Sequence, residues 1–583
     1  MDACRCEVTW TNLELTTSDG KKIISNASGQ IKPSTLMAVL GPSGSGKSSL
    51  LNSLAGRIGA DQTLTGDIKV NGKNRDEESW VKTVAYVGQS FYSYPWQTVY
   101  ETLEFAAKLR LENQKQINQR VNELIDLLGL SASHNTFMCK LSGGEKIRVG
   151  LGLELLGDPL VILVDEPLSG LDSFNAINIL DILRKLANMG KTVMVTIHQP
   201  SYMMMSYFDS MMLICQGRCV FEGTLNRCIQ FFEECGFELP KNTTPTDFFL
   251  NVLSIDHKNE EQRDSSLKKI NMISREWNFI KPEYEMTIQD RIVTTPSKKV
   301  VSNFKALIIR NFMNNLRNVE YLKTRVMQKV FMALLFGLTF YNTGLENANI
   351  FSFRGIMTFT LQTELFGVSG PLMNSFIEEK KIISRECMSG MYRGYEAYLA
   401  KFITESIISL VYAVPYHSVV YYLIGFPFGL NVTPMFFLII SFIIFYSFSF
   451  GLTVSTIAGT AQAAQALGVT VNISFMLYSG IFSNPRSLPK YISWFSYISP
   501  GYYSFRALVI NQLSNLPYRV SDAFDRVSNP QTIISFGLQG MSVMSSLAML
   551  FTITACLQVL GAYLLHTKMN NNLKIRKLKT IDV

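Results

Sequence analysis

The pattern of apolar and polar positions changes character along the chain. Over residues 1–255 short apolar runs alternate with polar stretches of dispersed charge, whereas from about residue 326 onward the apolar runs become long. Leu36 to Leu40 and Val161 to Val164 have strand length and no alternation, the mark of strands buried on both faces. Ser49 to Leu54 and Lys146 to Leu156 read as helices. Six later stretches, roughly 324–343, 353–377, 400–424, 433–458, 463–483 and 542–566, each supply the ~20 apolar residues that a helix needs to cross a bilayer. Between the halves, residues 256–302 are rich in Lys, Glu, Asp and Ser with little apolar periodicity and read as a charged linker. Residues 303–323 follow as an amphipathic helix, in which Phe304, Leu307, Ile308, Phe312 and Leu316 recur beside Lys305, Arg310 and Arg317.

Chemistry enters at the ends of the short runs. After the strand at Leu36 to Leu40 comes Gly41-Pro42-Ser43-Gly44-Ser45-Gly46-Lys47-Ser48, with Ser49 opening the helix. The glycines let backbone N–H groups turn inward, Lys47 reaches outer phosphates and Ser48 offers a hydroxyl to Mg²⁺. The strand at Val161 to Val164 delivers Asp165 and Glu166 at its C-terminal edge. Asp165 would orient the metal through water, and Glu166 would polarise the water that attacks the terminal phosphate. Leu141-Ser142-Gly143-Gly144-Glu145 reads as a capped helix start and a second anion site. One phosphate loop is already complete, so the economical use of Ser142, Gly143 and Gly144 is on a nucleotide held by another copy. That implies a dimer with ATP between two cassettes.

Taken in order, the phosphate loop, Gln89, Leu141 to Glu145, Val164-Asp165-Glu166, Ser169-Gly170-Leu171-Asp172 and His198 resemble the ATP-binding cassette superfamily. The cassette precedes the membrane half, an order similar to the G subfamily of half-transporters, the White and breast cancer resistance protein type. Thr244-Pro245-Thr246-Asp247-Phe248-Phe249, Arg385 to Arg393 and Tyr398 extend the resemblance over nearly the whole chain. It implies an α/β P-loop ATPase cassette with a RecA-like core and helical subdomain, followed by an all-α six-helix transmembrane domain over 324–583. It also implies that Gln89 senses the γ-phosphate and joins the Mg²⁺ set, that Asp172 contacts the opposite cassette and that His198 is the γ-phosphate switch. Residues 303–323 become the helix connecting cassette to membrane, with Glu386 as its coupling partner. One departure concerns the base: cassettes usually stack adenine on an aromatic upstream of the phosphate loop, but Ser18 to Ser34 holds no Phe, Tyr, Trp or His, and Trp10 is the nearest upstream. Weak discrimination between ATP and GTP is expected.

Charge orients the membrane half. The start of the chain shows no secretory signal, since Cys4, Arg5, Cys6 and Glu7 interrupt any apolar core. A cytosolic cassette and six spans then put both termini on one side. Lys380, Lys381, Arg385 and Arg393 fall in the loop expected inside, and Lys568, Lys574, Arg576, Lys577 and Lys579 in the tail, against Asp582. The net charge of +8 therefore reads as membrane orientation and contact with anionic lipid, not nucleic-acid binding. The nine cysteines lie outside the expected outer loop of about 484–541, and read as reduced structural thiols. That loop's prolines and aromatics read as short re-entrant helices with aromatic anchors.

Glu364 stands near the middle of the second span, where an ionisable group must face the bundle interior, a partner or a wet cavity. Contact with cargo and an interhelical hydrogen bond both remain open for it. By the resemblance, Phe359, Thr363, Glu364, Phe366 and Gly367 face Asn472, Ile473 and Met476 across a central cavity between two copies, beneath a gate at Ile481 and Phe482. A multidrug member clamps flat aromatic drugs at the position of Gly367, so broad planar-drug specificity is not expected here. The sum is a half-transporter dimer, homomeric or heteromeric, that uses ATP and Mg²⁺ to export a lipid, sterol or other hydrophobic or amphipathic molecule. The membrane is the plasma membrane or an intracellular one, with both termini cytosolic. An ATP-regulated channel, a regulatory subunit and an importer are the alternatives; a soluble cassette ATPase has no use for six spans.

Overall fold

The computed structural model describes residues 5–573 except 60, 112, 257–258, 283, 285–303, 344–349, 486, 514–537 and 539–541. It falls into two units, Met1–Val301 with Asn570–Val583, and Ser302–Met569.

In the first unit, β1 (Val8–Thr17), β2 (Lys22–Ile31), β4 (Gln62–Val70) and β5 (Lys73–Asn74) form an antiparallel sheet in the order β2-β1-β4-β5. A second sheet runs β10 (Arg218–Gly223), β9 (Ser210–Cys215), β3 (Leu36–Leu40), β8 (Thr192–Thr196), β7 (Val161–Val164) and β6 (Val84–Val87). Strands β9, β3, β8, β7 and β6 are parallel, and β10 closes the edge antiparallel to β9. All of β3, β7 and β8 is buried, which explains their unbroken apolar runs. Parallel strands end at one edge, so the segments leaving β3, β6, β7 and β8 converge there.

Helices α1 (Lys47–Ala55) and α2 (Glu77–Thr83) precede a helical group of α3 (Val99–Arg110), α4 (Gln114–Leu127) and α5 (Gly143–Leu155). Capping boxes start α3 at Thr98 and α5 at Ser142. Then come α6 (Ser173–Asn188), α7 (Tyr202–Met205), α8 (Leu225–Glu234), α9 (Pro245–Leu253) and α10 (Glu260–Ile280). Helix α10 corrects the linker reading of 256–302. It buries Ile270, Ile273 and Trp277, a stripe at helical spacing, and the Trp277 ring packs tilted against Phe221 of β10, centroids 5.1 Å apart. The surrounding charge hid that stripe in the sequence; residues 285–302 of the expected linker lie outside the described residues.

The second unit is helical: α11 (Phe304–Arg317), α12 (Val319–Thr339), α13 (Ile350–Met388), α14 (Gly394–Ile424), α15 (Val432–Ile457), α16 (Ala461–Leu477), α17 (Lys490–Ile498), α18 (Pro500–Leu513) and α19 (Val543–Leu573). Among the described residues, α14, α15 and α19 are long and apolar enough to cross a membrane. Charged residues on α12 and α13 and the 17-residue length of α16 set those three apart. Helix α15 is central, 67% buried over its apolar window, and α19 peripheral at 22%. Several boundaries differ from expectation, among them the end of the amphipathic helix expected over 303–323, which stops at Arg317 where Asn318 caps α12. Helix α13 runs on past residue 377 to Met388, because no Gly or Pro interrupts Leu372 to Ser389, so Lys380, Lys381 and Arg385 sit on a helix and not in a loop. Helix α16 stops at Leu477 and the chain turns at Gly480, with φ of 93°. Of the outer segment, α17 exposes Tyr491, Trp494 and Tyr497 while α18 buries Tyr502, Tyr503 and Phe505; residues 514–537 and 539–541 lie outside the described residues.

Candidate functional site

The phosphate loop leaves β3 at a point where only glycine fits. A Cβ on Gly41 would lie 2.1 Å from the Ile214 carbonyl oxygen, and Gly46, which caps α1, has φ of 102°. Pro42, Ser43 and Gly44 form the outward rim, Ser45 is buried with its hydroxyl unpartnered, and Ser49 lies in the first turn of α1. Lys47 is buried and donates to the carbonyls of Gly41 at 2.8 Å and Pro42 at 3.0 Å. Burial pushes its pKa down, opposed by the nearby carboxylates of Glu166 and Asp165. The ammonium thus closes over its own loop.

From β7, Asp165 accepts from Ser48 Oγ at 3.0 Å and from Thr196 Oγ1 at 2.7 Å. Tyr86 of β6 reaches its other oxygen at 3.4 Å, and the same tyrosine ring carries the Arg57 guanidinium 4.7 Å from its centroid. Glu166 has φ of 49°, uncommon for a residue with a side chain and of the kind found at working sites. The Thr196 hydroxyl accepts its backbone N–H at 2.8 Å, which helps hold that turn. Gln89, just past β6, donates to Glu166 Oε2 at 2.8 Å. His198, just past β8, places Nε2 3.6 Å from Glu166 Oε1 and 3.4 Å from Ser43 Oγ. Residues from four strand ends therefore meet around one carboxylate. Thr196 and Tyr86 went unnoticed in the sequence; the one available signal was Thr196 standing two positions before His198.

Ser142, Gly143, Gly144 and Asp172 form a separate group. The Ser142 hydroxyl accepts the Glu145 N–H at 3.3 Å, and the Glu145 carboxylate accepts the Ser142 N–H at 2.9 Å. A Cβ on Gly143 would lie 3.5 Å from Leu171, and one on Gly144 3.5 Å from Asn175, whose amide donates to Asp172 Oδ1 at 2.6 Å. Ser142, Gly143 and Asp172 are exposed, and Phe174 beside them is 73% exposed. No hydrogen bond or ion pair joins this group to the phosphate loop among the described residues. Trp10 is fully buried in the sheet, so it offers no face to a base.

In the helical unit, Glu386 accepts from Arg310 of α11 with both oxygens at 2.8 Å and from the Tyr392 hydroxyl. Lys401 bridges Glu379 at 2.7 Å and Glu405 at 2.8 Å, and Asn315 donates to Glu405 at 2.9 Å. Helix α11 accordingly turns Arg310, Asn311 and Asn314 inward with Leu307 and exposes Ile309, Met313 and Leu316. Its packed stripe is mostly polar because its carboxylate partners lie on α13 and α14.

The residues expected around a cavity divide. Phe359, Ile473 and Phe482 are exposed, Thr363, Phe366 and Gly367 are half-buried, and open space lies beside Gly367. Asn472, Met476 and Ile481 are buried instead. So is Glu364, 1% exposed, which faces α12 and α14 where it pairs with Lys329 and with His417 Nε2 at 3.2 Å. A carboxylate in that setting needs such partners, and within one copy the interhelical role is the one its geometry supplies.

Residues 24–169 match the ABC transporter family, and residues 198–302 and 302–513 match ABC-2 type transporter families. The chain is 32% identical over 517 residues to protein white of Ceratitis capitata, covering 85% of this chain and 76% of that protein. Protein white of Drosophila melanogaster is 31% identical, with coverages of 85% and 75%. The broad substrate specificity ATP-binding cassette transporter ABCG2 of Mus musculus is 29% identical over 559 residues, covering 89% and 84%.

Proposed function

The chain belongs to the G family of ATP-binding cassette transporters, ATPases coupled to transmembrane transport, and from that premise we propose that it is a half-transporter working as a dimer and exporting a lipid, sterol or other amphipathic molecule. What carries this reading is the separation of Ser142 and Gly143 from the phosphate loop. Both are exposed on a capped helix start, where the N–H groups beyond the one that the Glu145 carboxylate takes favour an anion. A second copy, head to tail, brings its own Ser142 to the first copy's phosphate loop. The chain's partner is then an identical or a related half-transporter.

The residues at the strand ends suit ATP and Mg²⁺. Lys47 gives two of its three N–H donors to loop carbonyls, the buried Ser45 hydroxyl has no partner, and Ser48 donates to Asp165, so each has a donor or acceptor left for a polyphosphate and its metal. Lys47 would hold the outer phosphates, Ser48 and Gln89 the metal, and Asp165 the metal's water. Bound ATP supplies the phosphoanhydride whose hydrolysis drives the cycle. Glu166, held between Gln89 and His198, would take the proton of a water at its carboxylate, and His198 beside Ser43 would meet the last phosphate.

In the membrane half the reading is six spans, α12 to α16 and α19, with both termini cytosolic. Phe359, Phe366, Ile473 and Phe482 give an apolar, partly exposed surface suited to a hydrophobic cargo. The Arg310–Glu386 pair fixes α11 to α13, the rigid link that transmission of cassette closure requires.

Cross-linking tests the dimer. In Glu166→Gln with Cys139, an exposed thiol near Ser142, replaced by Ser, cysteines at positions 43 and 142 should join two chains only with ATP and Mg²⁺. A cross-link within one chain, or one indifferent to ATP, would overturn the arrangement.

A further inference from the structure

The end of α15 is closed by two lysines from other helices. Lys380 of α13 donates to the carbonyls of Ser455 at 3.0 Å and Ala458 at 2.7 Å, and Lys568 of α19 to that of Thr456 at 3.3 Å. The carbonyls at a helix C-terminus carry about half a negative charge, so two ammonium groups exceed what the helix end can balance. Among the described residues, neither lysine forms an ion pair with a carboxylate. Each ammonium has three N–H donors, and the carbonyls take three of the six.

The surroundings say what could use the rest. Lys568 is exposed and Lys380 half-buried, so the pair is open on one side. Helix α14 starts against α19, a Cβ on Gly394 lying 3.2 Å from the His566 Cα, which brings exposed Arg393 to the same end of the bundle. Within three turns of Lys568, α19 exposes Val559, Leu560 and Tyr563 on its outer surface. A fixed positive pair beside an unpartnered apolar helix surface matches a ligand with an anionic head and apolar chains. A free phosphate uses only the first.

We infer that Lys380 and Lys568 form a binding site for the phosphate of an anionic phospholipid, whose acyl chains lie along α19. Bound there, the phosphate neutralises the lysine pair and ties α13 to α19 across the end of α15. The inference rests on the proposed membrane placement for which leaflet supplies the lipid, but not for binding itself. One lysine near a membrane surface contributes about 1 kcal/mol towards anionic lipid, or about 5-fold in affinity.

The test uses the full chain in nanodiscs of phosphatidylcholine with a minority of phosphatidylserine, released and read by native mass spectrometry. Wild type should retain phosphatidylserine in preference to phosphatidylcholine, Lys568→Gln should retain about 5-fold less, and Lys568→Arg should retain as much as wild type. Excess inorganic phosphate should not displace the lipid. Equal retention by Lys568→Gln would overturn the site, and release by inorganic phosphate would make it a site for free anions. Loss only when Lys574, Arg576, Lys577 and Lys579 are replaced would move the binding to the tail. A nanodisc offers lipid on both faces, so an inverted topology would leave this result unchanged while defeating vesicle transport.

Discussion

Removing Lys329 should destabilise the helical unit far more than removing its partner. Glu364 is 1% exposed, held by Lys329 from α12 and by His417 from α14, whereas Lys329 is 19% exposed and lies 4.6 Å from the centre of the Tyr416 ring. In Lys329→Met the carboxylate stays buried with His417 alone. Breaking a buried ion pair by removing one partner costs about 3–5 kcal/mol. In Glu364→Gln the charge is gone, His417 keeps a hydrogen-bonding neighbour, and the ammonium retains Tyr416 and partial access to water. That variant should lose about 1–2 kcal/mol. The double variant should resemble Glu364→Gln, since a buried pair replaced as a whole leaves no orphaned charge. Thermal unfolding of the purified chain in detergent at pH 8 reads the order. Lys329→Met should fall by roughly 5–10 °C, and Glu364→Gln and the double variant by roughly half that or less. Lys329→Met as stable as Glu364→Gln, or a double variant worse than either, would refute the reasoning.

Three further outcomes follow from the cassette. Glu222 of β10 accepts from Gln30 N at 3.3 Å and Tyr284 at 3.2 Å, and burial raises its pKa to about 8. The folded state then holds a proton that the unfolded state loses above its ordinary value of 4.5, so stability falls as pH rises from there through about 8. Glu222→Gln should match wild type near pH 5 and exceed it in thermal stability at pH 9; an unchanged pH slope would reject the assignment. Glu166→Gln should bind ATP yet hydrolyse it at least ~100-fold more slowly, as for loss of a general base; near-normal turnover in a phosphate-release assay would move the role elsewhere. With Trp10 buried and no aromatic between Ser18 and Ser34, competition binding should show GTP nearly as strong as ATP, and a large preference for ATP would contradict this.

The cassette's chemistry was readable because its residues are rare in combination. Gly41 to Ser48 tolerates few alternatives, as the clash of any Cβ at Gly41 with Ile214 shows, and fully buried strands announce themselves as unbroken apolar runs. Thr196 and Tyr86 escaped notice because a threonine or tyrosine at a strand end is unremarked until the fold sets it beside Asp165. Helix α10 was masked by charge around a three-residue stripe, and the extension of α13 by polarity that reads as loop although nothing in it breaks a helix. For Glu364 the depth and the need for a partner were legible from its neighbours in the chain, but not the side of the helix. A turn of 100° per residue decides between Gln362, which is exposed, and Glu364, which is enclosed.

ATP-dependent uptake by inside-out vesicles tests the central claim most directly, with sterols, phospholipids and amphipathic dyes offered in turn and Glu166→Gln vesicles as control. The account predicts that one class accumulates in wild-type vesicles alone, and only with ATP and Mg²⁺. Equal accumulation in Glu166→Gln vesicles, or ATP-driven depletion of the vesicle interior, would contradict it.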